Sequence, residues 1–315
     1  MTTRVFKLCC WLLLCAPTSY AKECDQYHHS NRIKSVQLWA DFNFLASDYL
    51  EGRKTQTHGA QLAREYIQKR FSQIGLLRFD INSGFLSPFV YQKHFTKVEG
   101  VNVVGYLPGS KSPESYIVVT AHYDHLGKQG RKIFNGADDN ASGVAAILSI
   151  AAALSINRPQ HSVIFVATDS EEKGLYGAKA FVQNPPIDLS KIKANLNLDM
   201  LSQHRGKNRL YVSGSRHFPN YQTLIRQAKE QAGLCLVSGH RSVQRGSVAG
   251  QRQSWRKASD HAAFTNASIP AIFIGVSEHA YYHTEQDTVD KTRPEFFFAA
   301  VDTSLKILRL VDELE

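Results

Sequence analysis

The chain has 315 residues, 43% hydrophobic and 21% charged, proportions that exclude a disordered or fibrous protein and allow a sizeable core. Its formal net charge is +9, or +7 without Arg4 and Lys7. The positive excess gathers at Arg241, Arg245, Arg252, Arg256 and Lys257, where only Trp255 interleaves, so it reads as a solvated loop and no nucleic-acid partner is expected.

In chain order, the first element is an apolar run from Leu8 to Ala16, preceded by Arg4 and Lys7 and followed by Pro17, Ser19 and Ala21. That is the pattern of a secretory signal peptide cut after Ala21, and it predicts a periplasmic or secreted protein. The run is too short to span a bilayer, and Leu14 is larger than the residue expected before a lipidated Cys15. No later stretch approaches eighteen apolar residues, so the mature chain is expected to have no membrane span. The organisation that follows is a signal over 1–21 and one domain over 22–315. Cys24 and Cys235 are the mature cysteines; one disulfide and two unrelated thiols are both compatible with their positions.

Apolar residues at helical spacing predict helices over 35–50 and 59–75, the second with a stripe of Leu62, Tyr66, Ile67, Phe71 and Ile74. Short β-rich runs follow at Phe89–Phe95, Val101–Tyr106 and Tyr116–Thr120. A helix from Ala141 to Leu154 is apolar on nearly every face and should be buried. Strand-like runs at Val163–Ala167, Ala194–Leu198, Leu210–Val212 and Ala271–Ile274 then alternate with helical stretches near 173–182, 218–232 and 259–266. A last helix, with Thr292, Pro294 and Glu295 as a capping box, carries Phe297, Val301, Leu305, Leu308 and Val311 on one face. The order is that of an α/β protein: a single domain with a mixed, mainly parallel central sheet flanked by helices.

No GxSxG, GxGxxG, phosphate-binding loop or HExxH motif occurs. Instead, five segments place His, Asp and Glu beside predicted elements: Val118–His125, with His122 and Asp124; Asn135–Gly143, with Asp138 and Asp139; Phe165–Glu172, with Asp169, Glu171 and Glu172; Leu196–Asp199; and Tyr281–Thr284, with Tyr282 and His283. The carboxyl ends of parallel strands gather along one edge, so these segments can meet there. Burying so many carboxylates together is costly without a cation. Two imidazoles with three carboxylates suit zinc, and a shared carboxylate holds two ions about 3.5–4 Å apart.

Taken in this order, the five segments resemble the secreted leucyl-aminopeptidase family of zinc exopeptidases, relatives of glutamate carboxypeptidase, the transferrin receptor and glutaminyl cyclase. Residues Leu45 to Arg53 resemble that family's opening segment. The resemblance covers most of the mature chain and implies two Zn2+ per chain: His122 and Asp199 on one, Glu172 and His283 on the other, Asp138 bridging both. It also implies a cis peptide bond from Asp138 to Asp139, Glu171 as general base, Asp124 orienting His122, and Tyr282 stabilising the oxyanion. The implied substrates are peptides with a free amino terminus.

Simpler readings stand beside several of these. Asp139 serves equally as a helix N-cap, Tyr282 as a packing ring and Asp124 as a turn residue. Ser259-Asp260-His261 resembles another family segment, where the acid lies near the site, but it also reads as a capped helix start. His125 has no context beyond a surface or structural histidine. Glutaminyl cyclisation, dipeptidase or carboxypeptidase activity on the same scaffold, and a silent binding protein, are the rival functions.

Overall fold

Hydrophobic and β-branched runs between Leu86 and Gly275 form one eight-stranded sheet in the computed structural model, which describes residues 26–203, 208–215, 218–239 and 258–314. Its strands are β1 (Leu86–Lys93), β2 (Thr96–Leu107), β3 (Ser112–His122), β6 (His161–Thr168), β7 (Ile192–Leu198), β8 (Arg209–Gly214), β9 (Cys235–Ser238) and β10 (Ala271–Gly275). A separate small hairpin pairs β4 (Gly127–Gln129) with β5 (Lys132–Phe134). Across the sheet the order is β1-β2-β6-β3-β7-β10-β8-β9. The central four, β6, β3, β7 and β10, run parallel, while β1, β2 and β8 pair antiparallel with their inner neighbours. This is the single-domain, mixed α/β sheet expected from the element order.

Parallel strands buried on both faces must be apolar throughout, and alternate residues of β3 divide accordingly. Ile117, Val119 and Ala121 join the larger core, beneath α1 (Ser35–Leu45), α2 (His58–Ile74), α3 (Gly143–Ile156), α5 (Tyr221–Gln231) and α7 (Pro294–Asp312). Tyr116 and Val118 face the smaller core, formed with α4 (Tyr176–Gln183) and α6 (His261–Asn266). The run Ala137–Ile156, which includes α3, is long and apolar enough to cross a membrane, but most of it is buried inside the fold.

Several boundaries differ from the sequence expectation. The first helix stops at Leu45, and Asp48–Leu50 forms a separate 3-10 turn. α3 starts at Gly143, two residues late, because Asp139 (φ −106°, ψ 90°) and Asn140 (φ −135°, ψ 44°) kink the chain out of helical conformation just before it. The capping box on α7 does not form: Arg293 is the N-cap, and the Thr292 hydroxyl donates to the Val289 carbonyl at 2.6 Å. Proline at the first helical position, with its φ already set, marks that start instead. Phe95 lies in the β1–β2 turn, fully exposed. Cys235 is disulfide-bonded. Cys24, the signal segment 1–21 and the basic stretch from Arg241 to Lys257 lie outside the described residues.

Candidate metal centre

Four neighbouring strands deliver the site. β3 ends on His122, β6 runs into Asp169–Glu172, β7 into Asp199, and β10 into the loop carrying Tyr282 and His283. The turn Ala137–Ser142 enters between them. His122 Nε2 lies 3.2 Å from Asp139 Oδ1 and 3.4 Å from Asp199 Oδ1, while His283 Nε2 lies 3.0 Å from Asp139 Oδ2 and 3.4 Å from Glu172 Oε2. His122, Glu171 and Asp199 form one cluster with ligand atoms mutually within 4.8 Å, and His125, Asp139 and Glu172 form a second. Of the eight residues singled out from sequence, His122, Glu171, Glu172, Asp199 and His283 come together, with Asp124 and Tyr282 against them. Asp138 does not join them.

Asp139, not Asp138, lies between the two histidines, so the expectation placed on Asp138 moves by one residue. Asp138 Oδ1 accepts from Ser202 N (2.7 Å), Ser202 Oγ (2.8 Å) and Gln203 N (3.1 Å), and Oδ2 faces His279 Nε2 at 3.0 Å. A carboxylate with both oxygens so engaged has little left for a cation. The cis peptide bond joins Asp139 to Asn140, not Asp138 to Asp139. The N-cap reading of Asp139 fails too, since Gly143 N–H is capped by Asn140 Oδ1 at 2.9 Å.

Asp124 also acts differently from expectation. His122 Nδ1 meets the Asp124 carbonyl at 3.0 Å, whereas the carboxylate stands 3.8 Å away and instead accepts the Glu171 N–H at 3.0 Å. Asp124 therefore orients His122 through its main chain and fixes the Glu171 turn through its side chain. That turn needs fixing because Ser170 has φ +59°, a conformation costly for a side-chain-bearing residue. Asp169 holds it further, accepting from Ser170 N, Thr55 Oγ1, Tyr123 Oη and Val101 N. The Tyr282 ring stacks on His283 with centroids 3.9 Å apart, so its packing role is present. Asp260 makes no cap bond; its buried carboxylate accepts from the Thr168 hydroxyl, on the His122 side.

Four contributors escaped the sequence reading. His125, 1% exposed, has Nδ1 2.8 Å from Glu172 Oε1. His279 binds Asp138. Asp287 accepts the Asp138 and Asp139 amides at 3.0 Å each. Arg53 is buried and donates to the carbonyls of Leu45, Tyr123, Asn135 and Gly136, tying the opening segment beneath the site. One available signal was Gly136. With φ +54° and a Cβ that would lie 2.0 Å from the Asp139 carbonyl oxygen and 2.5 Å from the His125 ring, that position admits only glycine, so Gly136 marks a tight turn without naming the histidine against it.

The electrostatics describe a site short of positive charge. Burial pushes Glu171 well above the carboxylate range; His122 opposes this, and Asp199, Asp260 and Glu172 reinforce it. Burial and Asp169 likewise raise Asp124. Burial would lower His122, but Glu171 and Asp199 raise it well above the imidazole range. Against its burial, Asp139 and Glu172 raise His283 to about 11. Burial and Asp139 push Glu172 up, yet His125 and His283 outweigh them and hold it at about 2.

Even so, both nitrogens of His125, Asp199 Oδ1, Glu172 Oε1 and Asp124 Oδ2 are buried without a hydrogen-bond partner. His125 Nδ1 and Glu172 Oε1 are close enough to bond but do not have its angles. Orphaned imidazole and carboxylate atoms converging in this way fit divalent cations, which remove the like-charge conflict.

The sequence pattern of Peptidase family M28 matches residues 102–308. A Leptosphaeria maculans protein named as a probable zinc metalloprotease is 25% identical over 265 residues, 76% of this chain and 61% of that one. The chain spans less than two thirds of the length of the curated relatives it matches. Among solved structures, the LapA aminopeptidase of Legionella pneumophila is 21% identical, with a TM-score of 0.67 over 94% of this chain and 79% of that one. BSAP, a zinc aminopeptidase from Bacillus subtilis, is 17% identical, with a TM-score of 0.66 over 88% and 95%. At these identities the likeness to the solved structures is one of fold.

Proposed function

The chain belongs to Peptidase family M28, and from that premise we propose that it is an exported aminopeptidase that uses two zinc ions to release residues from the amino end of peptides. The observation that carries this is the convergence of His122, Asp139, Glu172, Asp199 and His283 on one sheet edge with Glu171 beside them. His122 and Asp199 would hold one ion, Glu172 and His283 the other, and Asp139 both. Attack at the amino end is supported by the aminopeptidases that share the fold. Export, to the periplasm or beyond, rests on Arg4, Lys7 and the apolar run after them.

The ions, when bound, would supply Lewis acidity to the attacking water and the scissile carbonyl. Glu171, whose carboxyl lies beside His122 and Asp199, would take the proton of that water and return it to the leaving amine. Asp124, through the Glu171 N–H, keeps this carboxyl aimed. Burial, with Asp139 and Glu172, holds the Tyr282 hydroxyl protonated, ready to donate to the developing oxyanion.

Metal analysis combined with a panel of aminoacyl fluorogenic substrates tests the reading. Two zinc ions per chain are expected, with cleavage that disappears when the substrate amine is acylated. Turnover that survives the block points to carboxypeptidase chemistry instead, and glutaminyl cyclisation with one bound ion points to a cyclase.

A further inference from the structure

His283 has φ +57°, a left-handed conformation uncommon among residues that carry a side chain. Two anchors flank it, four residues to either side. On one, His279 Nε2 meets Asp138 Oδ2 at 3.0 Å; on the other, the Asp287 carboxylate accepts the Asp138 and Asp139 amides. The His279 tautomer is fixed as well. Its Nδ1 accepts the Tyr281 N–H at 3.2 Å, so the proton sits on Nε2 and is donated to Asp138. Asp138 is wholly buried, and its other oxygen holds Ser202 and Gln203, just beyond Asp199. One carboxylate thus connects the segments that carry Asp139, Asp199 and His283.

We propose that Asp138 and His279 are positioning residues: a clamp that sets the His283 loop against Asp139 and thereby sets the affinity of the centre for the ion held by Glu172 and His283. The inference rests on the two-ion reading above. Removing His279 frees one anchor of the His283 loop and leaves the Asp138 bonds to Ser202 and Gln203 in place, so the effect should be confined to one ion.

Zinc titration of the metal-free protein against a chromogenic chelator reads this directly, in wild type, His279→Ala, His279→Gln and His279→Asn. His279→Ala should lose about 10–100-fold in affinity at one binding step, the same step that His283→Ala abolishes, with the other step unchanged. Saturating zinc should restore most of its kcat. His279→Gln, which keeps a donor with comparable reach, should recover most of the affinity; His279→Asn, which is too short, should not. Equal weakening of both steps with a lowered melting temperature in the metal-free protein would mean a merely structural residue and overturn the clamp. So would two steps as tight as in wild type. Wild-type protein that takes up no zinc overturns the functional reading and the clamp with it, which separates the two failures.

Discussion

Two buried carboxylate sites in this molecule use the same chemistry to opposite ends. Asp41 on α1 is wholly buried, and Gln37 Nε2, Tyr66 Oη and Arg70 Nε donate to its Oδ1 at 2.9, 2.6 and 2.9 Å. Arg70 Nη2 also reaches Oδ2 at 3.3 Å. At the sheet edge, Asp139, Asp199, Glu171 and Glu172 crowd together, and two of their oxygens, Asp199 Oδ1 and Glu172 Oε1, find no donor. A satisfied carboxylate joins helices, whereas an unsatisfied group of them stores a demand for cations. The difference lies in what surrounds the acid, not in the acid.

The sharpest way to divide the two is to remove the proton carrier from the edge cluster. Glu171→Ala should keep both zinc ions and lose about 10^3- to 10^4-fold in kcat, measured by steady-state kinetics beside metal analysis; a variant with wild-type turnover ends the general-base assignment. The Asp41 site should behave in reverse. Arg70→Ala leaves a buried carboxylate short of its cation and should cost about 3 kcal/mol of stability, with zinc affinity unchanged. Denaturant melts and zinc titration check both halves, and a variant that loses zinc without losing stability would erase the contrast.

Much of this was legible in the sequence, for physical reasons. The buried parallel strands and α3 read as unbroken apolar runs, and His122, Glu171, Glu172 and Asp199 stand where β3, β6 and β7 stop or just beyond. His283, by contrast, lies in a loop eight residues past the end of β10 and was found through its place in the five-segment pattern. The one-residue error at Asp138 had a cause: adjacent acids in a turn point opposite ways, and spacing does not say which faces the site. His125 and His279 were missed because each acts through a contact with a distant segment, Glu172 in one case and Asp138 in the other. Asp124 was misjudged because its carbonyl, which any residue possesses, does the work assigned to its side chain.

The smallest effect tests the demand for cations itself. Asp260 and Asp287 are both pushed up to about 6, chiefly by burial. A carboxyl whose pKa is raised on folding binds more protons folded than unfolded. Its contribution is therefore whole below the unfolded value near 4 and is lost as pH climbs through 6. His283, raised to about 11, works in the same direction above its unfolded value. Glu172, held at about 2, works in the opposite direction, but its window closes near 4.5. Between pH 5 and pH 7.5 the metal-free protein should thus lose about 1 kcal/mol from each of Asp260, Asp287 and His283, the last after solvent screening of its exposed ring. Zinc should offset the loss, because its charge replaces the protons. Melting curves of chelator-treated and zinc-loaded protein at the two pH values measure this. A metal-free protein that gains stability over that range would show that the edge acids are satisfied without ions, and the contrast with Asp41 would vanish.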